Sequence, residues 1–460
     1  MTFLSIVQII LFIALVGTSF FIAFRKFKEI YDNIMMGQPE QINTTLGFRL
    51  KKMLLIAFGQ KKMFKITFPA LLHLVIYASF VITQIELIEI FIDGLSGGHR
   101  TLYHAFENIG FLHALYVFVI NFIEVLSLLT FFVTILFILR RTSFKVARFQ
   151  KPEMKGWPKK DGLIILGFEL TLITFIFLMN GADSALHIKE TGHGYGFLLS
   201  GALGSTMTGM SDFSLEALEK LGWWGHLSMV LTFLVYLPYS KHLHILLAFP
   251  NTFFSRPEAK GEIRNMPAIQ HEVQSMIDPS FVVPATDGEI KFGAKDVYDL
   301  SWKSLLDAYS CTECGRCTAA CPANITGKKL SPRKIMMATR DRMEDISKCK
   351  KEHGPDFVDN KSLLGDYITS EELRACTTCN ACVEECPVNI SPLNIILELR
   401  RNLIMEQSDS PNEWNNMFAN MENNQAPWQF SPNDRLNWTN DLNLKQYINN
   451  KIILCNIKYQ

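Results

Sequence analysis

Five long apolar runs in the first half of the sequence set the strongest limit on what this chain can fold into. A helix needs about 20 apolar residues to cross the hydrocarbon core of a bilayer. The runs lie at Phe3–Phe24, Phe68–Ile92, Phe111–Leu139, Gly162–Asn180 and Gly222–Phe249. The last run contains Pro238 and a polar stretch at Ser240–His244, so we expect its far end to kink or to leave the membrane. The sequence therefore predicts an all-α membrane bundle of five transmembrane helices.

Lys and Arg residues are distributed unequally among the connections between these runs. Arg25–Thr67 and Arg140–Asp161 contain 9 and 8 of them, whereas Asp93–Gly110 and Gly181–Leu221 contain 1 and 2. Because Lys and Arg collect in cytoplasmic loops, we expect a multi-pass protein of the cell inner membrane, with its N-terminus outside and its second half in the cytoplasm. The first run lacks the flanks of a removed signal peptide and is expected to be a retained helix.

The charge balance differs between the two halves of the chain. The whole sequence is 48% hydrophobic and 19% charged, with a net charge of +1. Residues 1–250 contain 21 Lys and Arg against 16 Asp and Glu, whereas residues 251–460 contain 24 against 28. Such a balance argues against a nucleic-acid partner bound through bulk charge. It indicates instead a basic, apolar half joined to an acidic, polar half.

Two cysteine clusters lie in the polar half. None of the 10 cysteines precedes residue 311, and eight of them repeat the spacing C-x2-C-x2-C-x3-C-P. In proteins with two [4Fe–4S] clusters this spacing places three thiolates on one cluster and the fourth on the other. The predicted ligands of cluster 1 are Cys311, Cys314, Cys317 and Cys386. The predicted ligands of cluster 2 are Cys376, Cys379, Cys382 and Cys321. Structural zinc is the alternative, but it favours paired hooks with four ligands per ion.

Residues near these clusters complete the predicted organisation. Ser331-Pro332 and Ser391-Pro392 each follow a cysteine cluster and are typical of helix starts. Arg316 and Arg374 are expected to be solvated charges rather than groups that tune a potential or dock a partner. Cys349 and Cys455 are expected to be free thiols.

The predicted parts are a transmembrane domain over 1–250, a connector over 251–298, a mostly α-helical dicluster domain over 299–406 and a polar tail over 407–460.

Histidines near the ends of the apolar runs are candidate haem ligands. A b-type haem takes two axial histidines from facing helices. In one continuous helix, the 18 residues from His226 to His244 make five turns and roughly 27 Å, so both would project from one face in opposite leaflets. The expected inner pair is His73 with His244, or with His242 instead. The expected outer pair is His226 with His113, or with His104 instead. Interfacial histidines that reach towards lipid headgroups are the alternative.

Three carboxylates, Glu86, Glu89 and Glu124, lie within the second and third apolar runs. Carboxylates in lipid are energetically costly and usually functional. They are candidates for a quinone or proton site, and a structural pairing with neighbouring polar groups remains the alternative.

The combination resembles known respiratory proteins. The first half is similar to the gamma subunit of respiratory nitrate reductase and to the membrane subunit of heterodisulfide reductase, which are cytochromes b with paired histidines on the last helix. It departs from the nitrate reductase pattern on the second helix, where Thr83 and Gln84 stand in place of a second histidine. Residues 301–401, with CTECGRC and CTTCNAC, resemble the dicluster subunit of heterodisulfide reductase and the iron–sulfur part of the anaerobic glycerol-3-phosphate dehydrogenase anchor. The whole chain resembles fused membrane Fe–S oxidoreductases.

This resemblance implies an electron-transfer subunit of an oxidoreductase, either heterodisulfide reductase-like or a quinone-linked dehydrogenase. Electrons are expected to pass between the quinone pool, one or two b haems, two [4Fe–4S] clusters and a cytoplasmic partner. The sequence contains no Cys-Cys pair, so the resemblance implies that any catalytic site lies on a separate cysteine-rich (CCG-domain) subunit. The alternative is a non-catalytic, membrane-tethered redox sensor or assembly platform without haem.

Overall fold

The computed structural model describes residues 3–144, 146–259, 261–284 and 291–442. This part of the chain is mostly helical, and it contains two isolated β-bridges but no strand. Its first ten helices are α1 (Phe3–Met35), α2 (Leu46–Met53), α3 (Thr67–Ile82), α4 (Gln84–Ser96), α5 (Thr101–Phe106), α6 (Gly110–Thr142), α7 (Trp157–Thr191), α8 (Leu199–Met207), α9 (Asp212–Tyr236) and α10 (His244–Phe253).

The remaining helices belong to the polar half. They are α11 (Pro267–Ile277), α12 (Trp302–Tyr309), α13 (Arg316–Ala319), α14 (Pro322–Ile325), α15 (Pro332–His353), α16 (Ser370–Arg374), α17 (Ala381–Glu385), α18 (Pro392–Arg401) and α19 (Asn412–Asn424). The chain divides into two compact units, Met1–Asn402 and Leu403–Gln460. The predicted domain bounds at residues 250 and 298 fall inside the first unit and remain predictions.

Five stretches of the described chain are long and apolar enough to cross a membrane. They are formed by α1, by α3 together with α4, by α6, by α7, and by α9 with the turn that follows it. The predicted fold class, a five-helix membrane bundle followed by a helical domain, is therefore confirmed. The predicted orientation of the bundle remains a prediction.

The fifth apolar run does not form one continuous helix. Its helix α9 starts at Asp212, capped by the Ser211 side chain, and ends at Tyr236. Pro238 follows within a 3-10 turn, and a second 3-10 turn precedes α10. Proline cannot donate the backbone hydrogen bond that would continue the helix, so the predicted interruption is confirmed. The prediction that His226 and His244 share one face of a single helix is wrong. His226 lies near the middle of α9 and His244 begins α10.

Glycines allow the bundle helices to pack closely. A Cβ atom on Gly222 of α9 would lie 2.5 Å from the backbone nitrogen of Met179 on α7. One on Gly94 of α4 would lie 2.3 Å from the ring of Phe12 on α1, which is 1% exposed. Small residues at such crossings let backbones and large side chains approach each other. The bundle is thus organised around α7 and α9, with α1 and α4 packed beside them.

Buried polar contacts join the dicluster part of the first unit to the bundle. Asn33, near the end of α1, donates to the Tyr309 hydroxyl at 2.8 Å. Lys303, 1% exposed, donates to Asp307 at 2.6 Å and to Asn251 at 2.7 Å. A charge this buried is tolerated only when it is paired. These contacts position the cysteine loops against the ends of the membrane helices.

The polar half confirms the two predicted helix starts. Ser331 and Ser391 cap α15 and α18, each accepting a hydrogen bond from a backbone N–H of the first turn. The stretch predicted to be a polar tail contains a helix, α19, which belongs to the second compact unit. Residues 443–460 of that tail, including Cys455, lie outside the described residues.

Candidate metal centres

Cavity 1 lies beside the first cysteine loop, which we call loop 1 (Cys311–Cys317). Apolar groups of Met336, Val388 and Ile390 form part of its wall. The cysteines on the wall are Cys311, Cys314, Cys317, Cys386 and Cys382. The structure thus brings together the four cysteines predicted to hold cluster 1, although they are up to 75 residues apart in the chain.

Cavity 2 lies beside loop 2 (Cys376–Cys382). Leu330, Leu393 and Ile396 contribute to its wall. Its cysteines are Cys321, Cys376, Cys379 and Cys382, the four predicted to hold cluster 2. The two cavities share Cys382 and are therefore neighbours. The described residues contain no group of three or more His, Cys, Asp or Glu side chains arranged to hold a single metal ion.

The two loops have the same unusual backbone. The residue before the second cysteine has a positive φ in both, 54° at Glu313 and 55° at Thr378. The residue after that cysteine does too, 72° at Gly315 and 60° at Asn380. Left-handed residues at these two positions turn the chain so that three thiols point inwards. The fourth cysteines differ, because Cys321 caps α14 whereas Cys386 follows α17 and starts no helix.

The thiols are suited to binding a positively charged metal cluster. Burial raises the pKa of Cys311, Cys382 and Cys386 to about 12. Thiolates at these positions therefore need a nearby positive charge, which bound iron supplies. Backbone N–H groups of Thr378 and Ile390 also donate to the sulfurs of Cys376 and Cys386, at 3.4 and 3.3 Å. The donor set and its surroundings fit [4Fe–4S] clusters.

Loop 1 is buried against the bundle, and its charged side chains are paired. Glu313 is 4% exposed and accepts from Lys241 at 2.7 Å and from Arg340 at 2.8 Å. Burial disfavours the Glu313 carboxylate, but Arg340 and Lys241 outweigh this and lower its pKa to about 2. Arg316, expected to be solvated, is 5% exposed and donates to the carbonyls of Lys62 and Met63, each at 3.2 Å. Arg316 is therefore a buried contact to the bundle.

Loop 2 has a different environment. Cys379 is exposed, whereas Cys311, Cys321, Cys382 and Cys386 are buried. Thr378 corresponds to Glu313, and its hydroxyl donates to the adjacent Thr377 carbonyl. The edge of cavity 2 at Cys379 is thus in contact with solvent.

Three of the predicted histidines lie close to loop 1. Nδ1 of His73 is 3.1 Å from the Gln60 side-chain oxygen, and Nδ1 of His244 is 3.0 Å from the Lys241 carbonyl. The rings of His242 and His244 are 5.8 Å apart. Burial lowers the pKa of His242 well below its usual value, and the neighbouring His244, Lys241, Arg141 and His73 lower it further. Burial also lowers the pKa of His244.

This hydrogen bonding fits metal ligation. A ligating histidine usually bonds through its second ring nitrogen to an oxygen acceptor, which fixes the tautomer and the ring orientation. His73 and His244 each have such a bond at Nδ1, which leaves Nε2 for a metal. The hydrogen bonds of His73 and His244 are therefore compatible with metal ligation.

The predicted outer pair has separate surroundings. His226 contacts α7, with Nδ1 3.1 Å from the Leu172 carbonyl. The ring centroid of His113 is 5.3 Å from that of Tyr103 on α5, and its buried Nδ1 has no hydrogen-bond partner. His104, the alternative to His113, has a side chain 52% exposed and pairs with Glu107. Among the described side chains, no hydrogen bond or ring contact joins His226 to either residue.

The predicted carboxylates are buried and hydrogen-bonded. Glu89 accepts from Tyr116 at 2.6 Å and from backbone N–H groups at the start of α5. Glu124 accepts from Leu199 N and from the N–H and hydroxyl of Ser200, at the start of α8. Glu86 accepts from Asn180 at 2.8 Å. Glu89 and Glu124 thus fasten short helices to the bundle, and Glu86 joins a wider polar network.

Sequence reasoning missed the centre of that network, Arg100. This residue is 5% exposed and donates to Asp183 and Asn180, each at 2.7 Å. Its guanidinium also lies over the ring of Phe197, 5.0 Å from the centroid. One feature of the sequence could have indicated a special role for Arg100, since it is the single Lys or Arg residue in the connection 93–110.

Comparison with known proteins places these observations in a family context. Residues 310–390 match the model of the 4Fe-4S dicluster domain. Over 439 residues the chain is 27% identical to the probable iron-sulfur-binding oxidoreductase FadF of Bacillus subtilis, covering 89% of this chain and 57% of that protein. It is 30% identical over 337 residues to the EtfAB:quinone oxidoreductase of Syntrophomonas wolfei, covering 66% of this chain and 44% of that protein.

A shorter match covers the cysteine half. The chain is 36% identical over 101 residues to one component of the ferredoxin/F(420)H(2)-dependent CoB-CoM heterodisulfide reductase of Methanosarcina acetivorans, covering 22% of this chain and 49% of that component. No solved structure matches the chain. The chain spans about half the length of these curated relatives. It contains a 4Fe-4S dicluster domain, and its relatives are iron–sulfur oxidoreductases.

Proposed function

We propose that this chain is a membrane-bound electron-transfer protein that passes electrons between the quinone pool, b-type haem, two [4Fe–4S] clusters and a cytoplasmic, cysteine-rich redox partner. One observation supports the proposal most directly. Two neighbouring cavities are each lined by the four cysteines that interleaved ligation requires. When bound, the clusters and haem supply one-electron chemistry, and the polypeptide supplies ligands, spacing and insulation.

The proposed ligands follow from the cavity walls. Cluster 1 takes Cys311, Cys314, Cys317 and Cys386, and cluster 2 takes Cys376, Cys379, Cys382 and Cys321. Cys382 lies on both walls, and the interleaved pattern assigns it to cluster 2 because it belongs to the three-cysteine loop of that cluster.

The surroundings of the two loops support an order for the cofactors. Loop 1 contacts the bundle through Glu313 and Arg316, next to the segments that carry His73 and His244. Loop 2 has the exposed Cys379. Cluster 1 is therefore the one on the bundle side, and cluster 2 is the one that exchanges electrons with the soluble partner.

We propose His73 and His244 as the axial pair of an inner haem, with His242 as the alternative to His244. Their Nδ1 hydrogen bonds and their closeness to loop 1 support this pair. His226 with His113 remains the proposal for a second haem. The Nδ1 contact of His226 with the Leu172 carbonyl, which leaves Nε2 for a ligand, supports this proposal.

The quinone and the membrane orientation complete the proposal. The relative described as an EtfAB:quinone oxidoreductase supports a quinone as membrane substrate. Glu86 and Glu89 in the second span and Glu124 in the third are the proposed quinone or proton site. The Lys- and Arg-rich connections support a cytoplasmic dicluster domain in the inner membrane.

An optical difference spectrum of the purified protein, dithionite-reduced minus oxidised, tests the proposal. We expect the α band typical of b-type haem together with bleaching of the broad absorbance of iron–sulfur clusters. A preparation with iron–sulfur clusters but without haem would contradict the haem pathway and support the alternative, a membrane-tethered sensor or assembly platform. A colourless preparation containing zinc would overturn the whole proposal.

A further inference from the structure

Loop 1 is bonded to two segments of the bundle, and each of these segments orients a candidate haem histidine. The two side chains that make the contacts, Glu313 and Arg316, flank Cys314 and Gly315. Neither side chain points into solvent, since Glu313 is 4% and Arg316 5% exposed. Both contacts come from residues other than the cysteines.

The first contact runs from Glu313 to His244 through Lys241. The Lys241 ammonium group donates to Glu313 at 2.7 Å and to the Pro158 carbonyl at 2.6 Å. The Lys241 backbone N–H donates to Asp161 at 3.2 Å, and its carbonyl is 3.0 Å from Nδ1 of His244. Lys241 is thereby fixed between loop 1 and α7, and its carbonyl sets the orientation of the His244 ring.

The second contact runs from Arg316 to His73 through the turn before α3. Arg316 donates to the carbonyls of Lys62 and Met63. The Met63 N–H donates to the Gln60 carbonyl at 2.8 Å, which closes the turn. Gln60, 7% exposed and with φ of 50°, places its side-chain oxygen 3.1 Å from Nδ1 of His73. The turn thus links the guanidinium of loop 1 to the ring orientation of His73.

We propose that Glu313 and Arg316 are positioning residues that hold the two histidine-bearing segments at a fixed place relative to cluster 1. The proposal rests on the proposed function for the identity of the inner haem. Loop 2 has Thr378 and Ala381 at the corresponding positions, and the Thr378 hydroxyl donates within its own loop. At these two positions, therefore, the loop 1 side chains have the positioning role, while Lys62 and Lys65 of the 60–66 turn also bond to Val383 and Glu384 of α17.

Two substitutions give loop 1 the residues of loop 2. Glu313→Thr and Arg316→Ala keep every cysteine, and Thr378 shows that threonine accommodates the required positive φ. The readout is hydrogen–deuterium exchange of the full-length protein in detergent, followed in peptides covering 240–244 and 60–66. Iron, acid-labile sulfide and haem per chain are measured on the same samples.

We expect Glu313→Thr to accelerate exchange in 240–244 and Arg316→Ala to accelerate exchange in 60–66. Each acceleration should be about tenfold or more, since each substitution removes charge-assisted hydrogen bonds that hold the segment. Each variant should retain its iron and sulfide and lose haem, or shift the haem spectrum. The double variant Glu313→Thr with Lys241→Met should accelerate exchange in 240–244 by less than the two single changes combined, because both break the contact between Lys241 and Glu313, although Lys241→Met also removes the bond to the Pro158 carbonyl.

Arg400→Gln is the matched control. Arg400 also donates to backbone carbonyls, those of Leu373 and Cys376, but on the loop 2 side. It should change exchange near 373–376 and leave 60–66 and 240–244 at wild-type rates. Wild-type exchange of both histidine segments in both loop 1 variants would overturn the positioning role. Absence of haem from the wild-type protein would contradict the proposed function instead, while the exchange rates would still test the positioning role.

Discussion

The two cysteine loops share a backbone but differ in their neighbours. Both use positive φ values around the second cysteine, and both place three thiols on the wall of a cavity. Loop 1 adds two buried charges that bond to the bundle. Loop 2 has uncharged residues at those two positions and leaves Cys379 exposed. The comparison teaches that the repeated residues line the cluster cavities, while the residues that differ give loop 1 two buried contacts to the bundle that loop 2 lacks at the same positions.

Loss of a cysteine is the change with the largest expected effect, and it tests whether the two loops exchange their fourth ligands. Cys386→Ala should abolish the same electron paramagnetic resonance signal as Cys317→Ala, because both thiols line cavity 1. Cys321→Ala should abolish the same signal as Cys379→Ala. Cys349→Ala, outside both motifs, should leave iron content unchanged. If Cys386→Ala and Cys379→Ala removed the same signal, each motif would bind its own cluster without exchange.

Replacing His244, which lies next to loop 1, is expected to have the second largest effect. His244→Ala should remove the inner haem while iron and sulfide per chain stay at wild-type values, because His244 lines neither cluster cavity. The pyridine haemochrome assay measures the haem. His104→Ala is the matched control, since the His104 side chain is 52% exposed and pairs with Glu107. If His244→Ala kept its haem and His242→Ala lost it, the axial ligand would be His242 and not His244.

A buried carboxylate between the bundle and the dicluster part predicts a pH effect of intermediate size. Burial disfavours the Glu40 carboxylate, but Arg256 outweighs this with hydrogen bonds and lowers its pKa to about 2. Since the folded pKa lies below the ordinary 4.5, Glu40 contributes stability above about pH 4.5 that is lost as the pH falls towards 2. The shift corresponds to about 3 kcal/mol at neutral pH.

Glu40→Gln should therefore lower the melting temperature at pH 7 and flatten its decline between about pH 4.5 and pH 2. Circular dichroism of the protein in detergent follows both quantities. An equal decline in the variant and the wild type would show that the contact between Glu40 and Arg256 does not stabilise the bundle side.

The smallest effect is expected for an exposed ion pair near loop 2. Glu371 accepts from Lys329 at 2.6 Å, and their side chains are 63% and 68% exposed. Water and salt screen such a pair, so Glu371→Gln should leave the melting temperature and the haem content unchanged. A clear loss of stability would show that the solvent side of the dicluster part is as tightly coupled to the fold as the bundle side.

The sequence predicted the features that depend on local pattern. Five apolar runs identified the five spans, and the repeated cysteine spacing indicated which four thiols each cavity wall would need. Helix ends were harder to predict. The helix α9 begins ten residues before its apolar run, because its first turns are amphipathic and capped by Ser211. It ends at Tyr236 rather than continuing to His244, so the simple helical spacing of the two histidines fails.

Charged residues were the other source of error. From the sequence, Arg316 is expected to be a solvated charge beside a cysteine loop. Arg100 lies in a connection between two spans, where a charged residue is usually exposed. Both are buried, since carbonyl or carboxylate partners from distant parts of the chain replace water. A sequence shows that a residue is charged, but its partners are decided only when the helices pack.

The sequence by itself therefore determined a membrane bundle, a dicluster domain and the two repeated sets of cysteines, because hydrophobic length and ligand spacing are local properties. The tertiary structure alone decided which loop faces the bundle and which histidines lie beside it. Those relations depend on contacts between residues as far apart as Lys62 and Arg316, or Lys241 and Glu313. The physical reason is that buried charges must find partners, and only the packed chain supplies them.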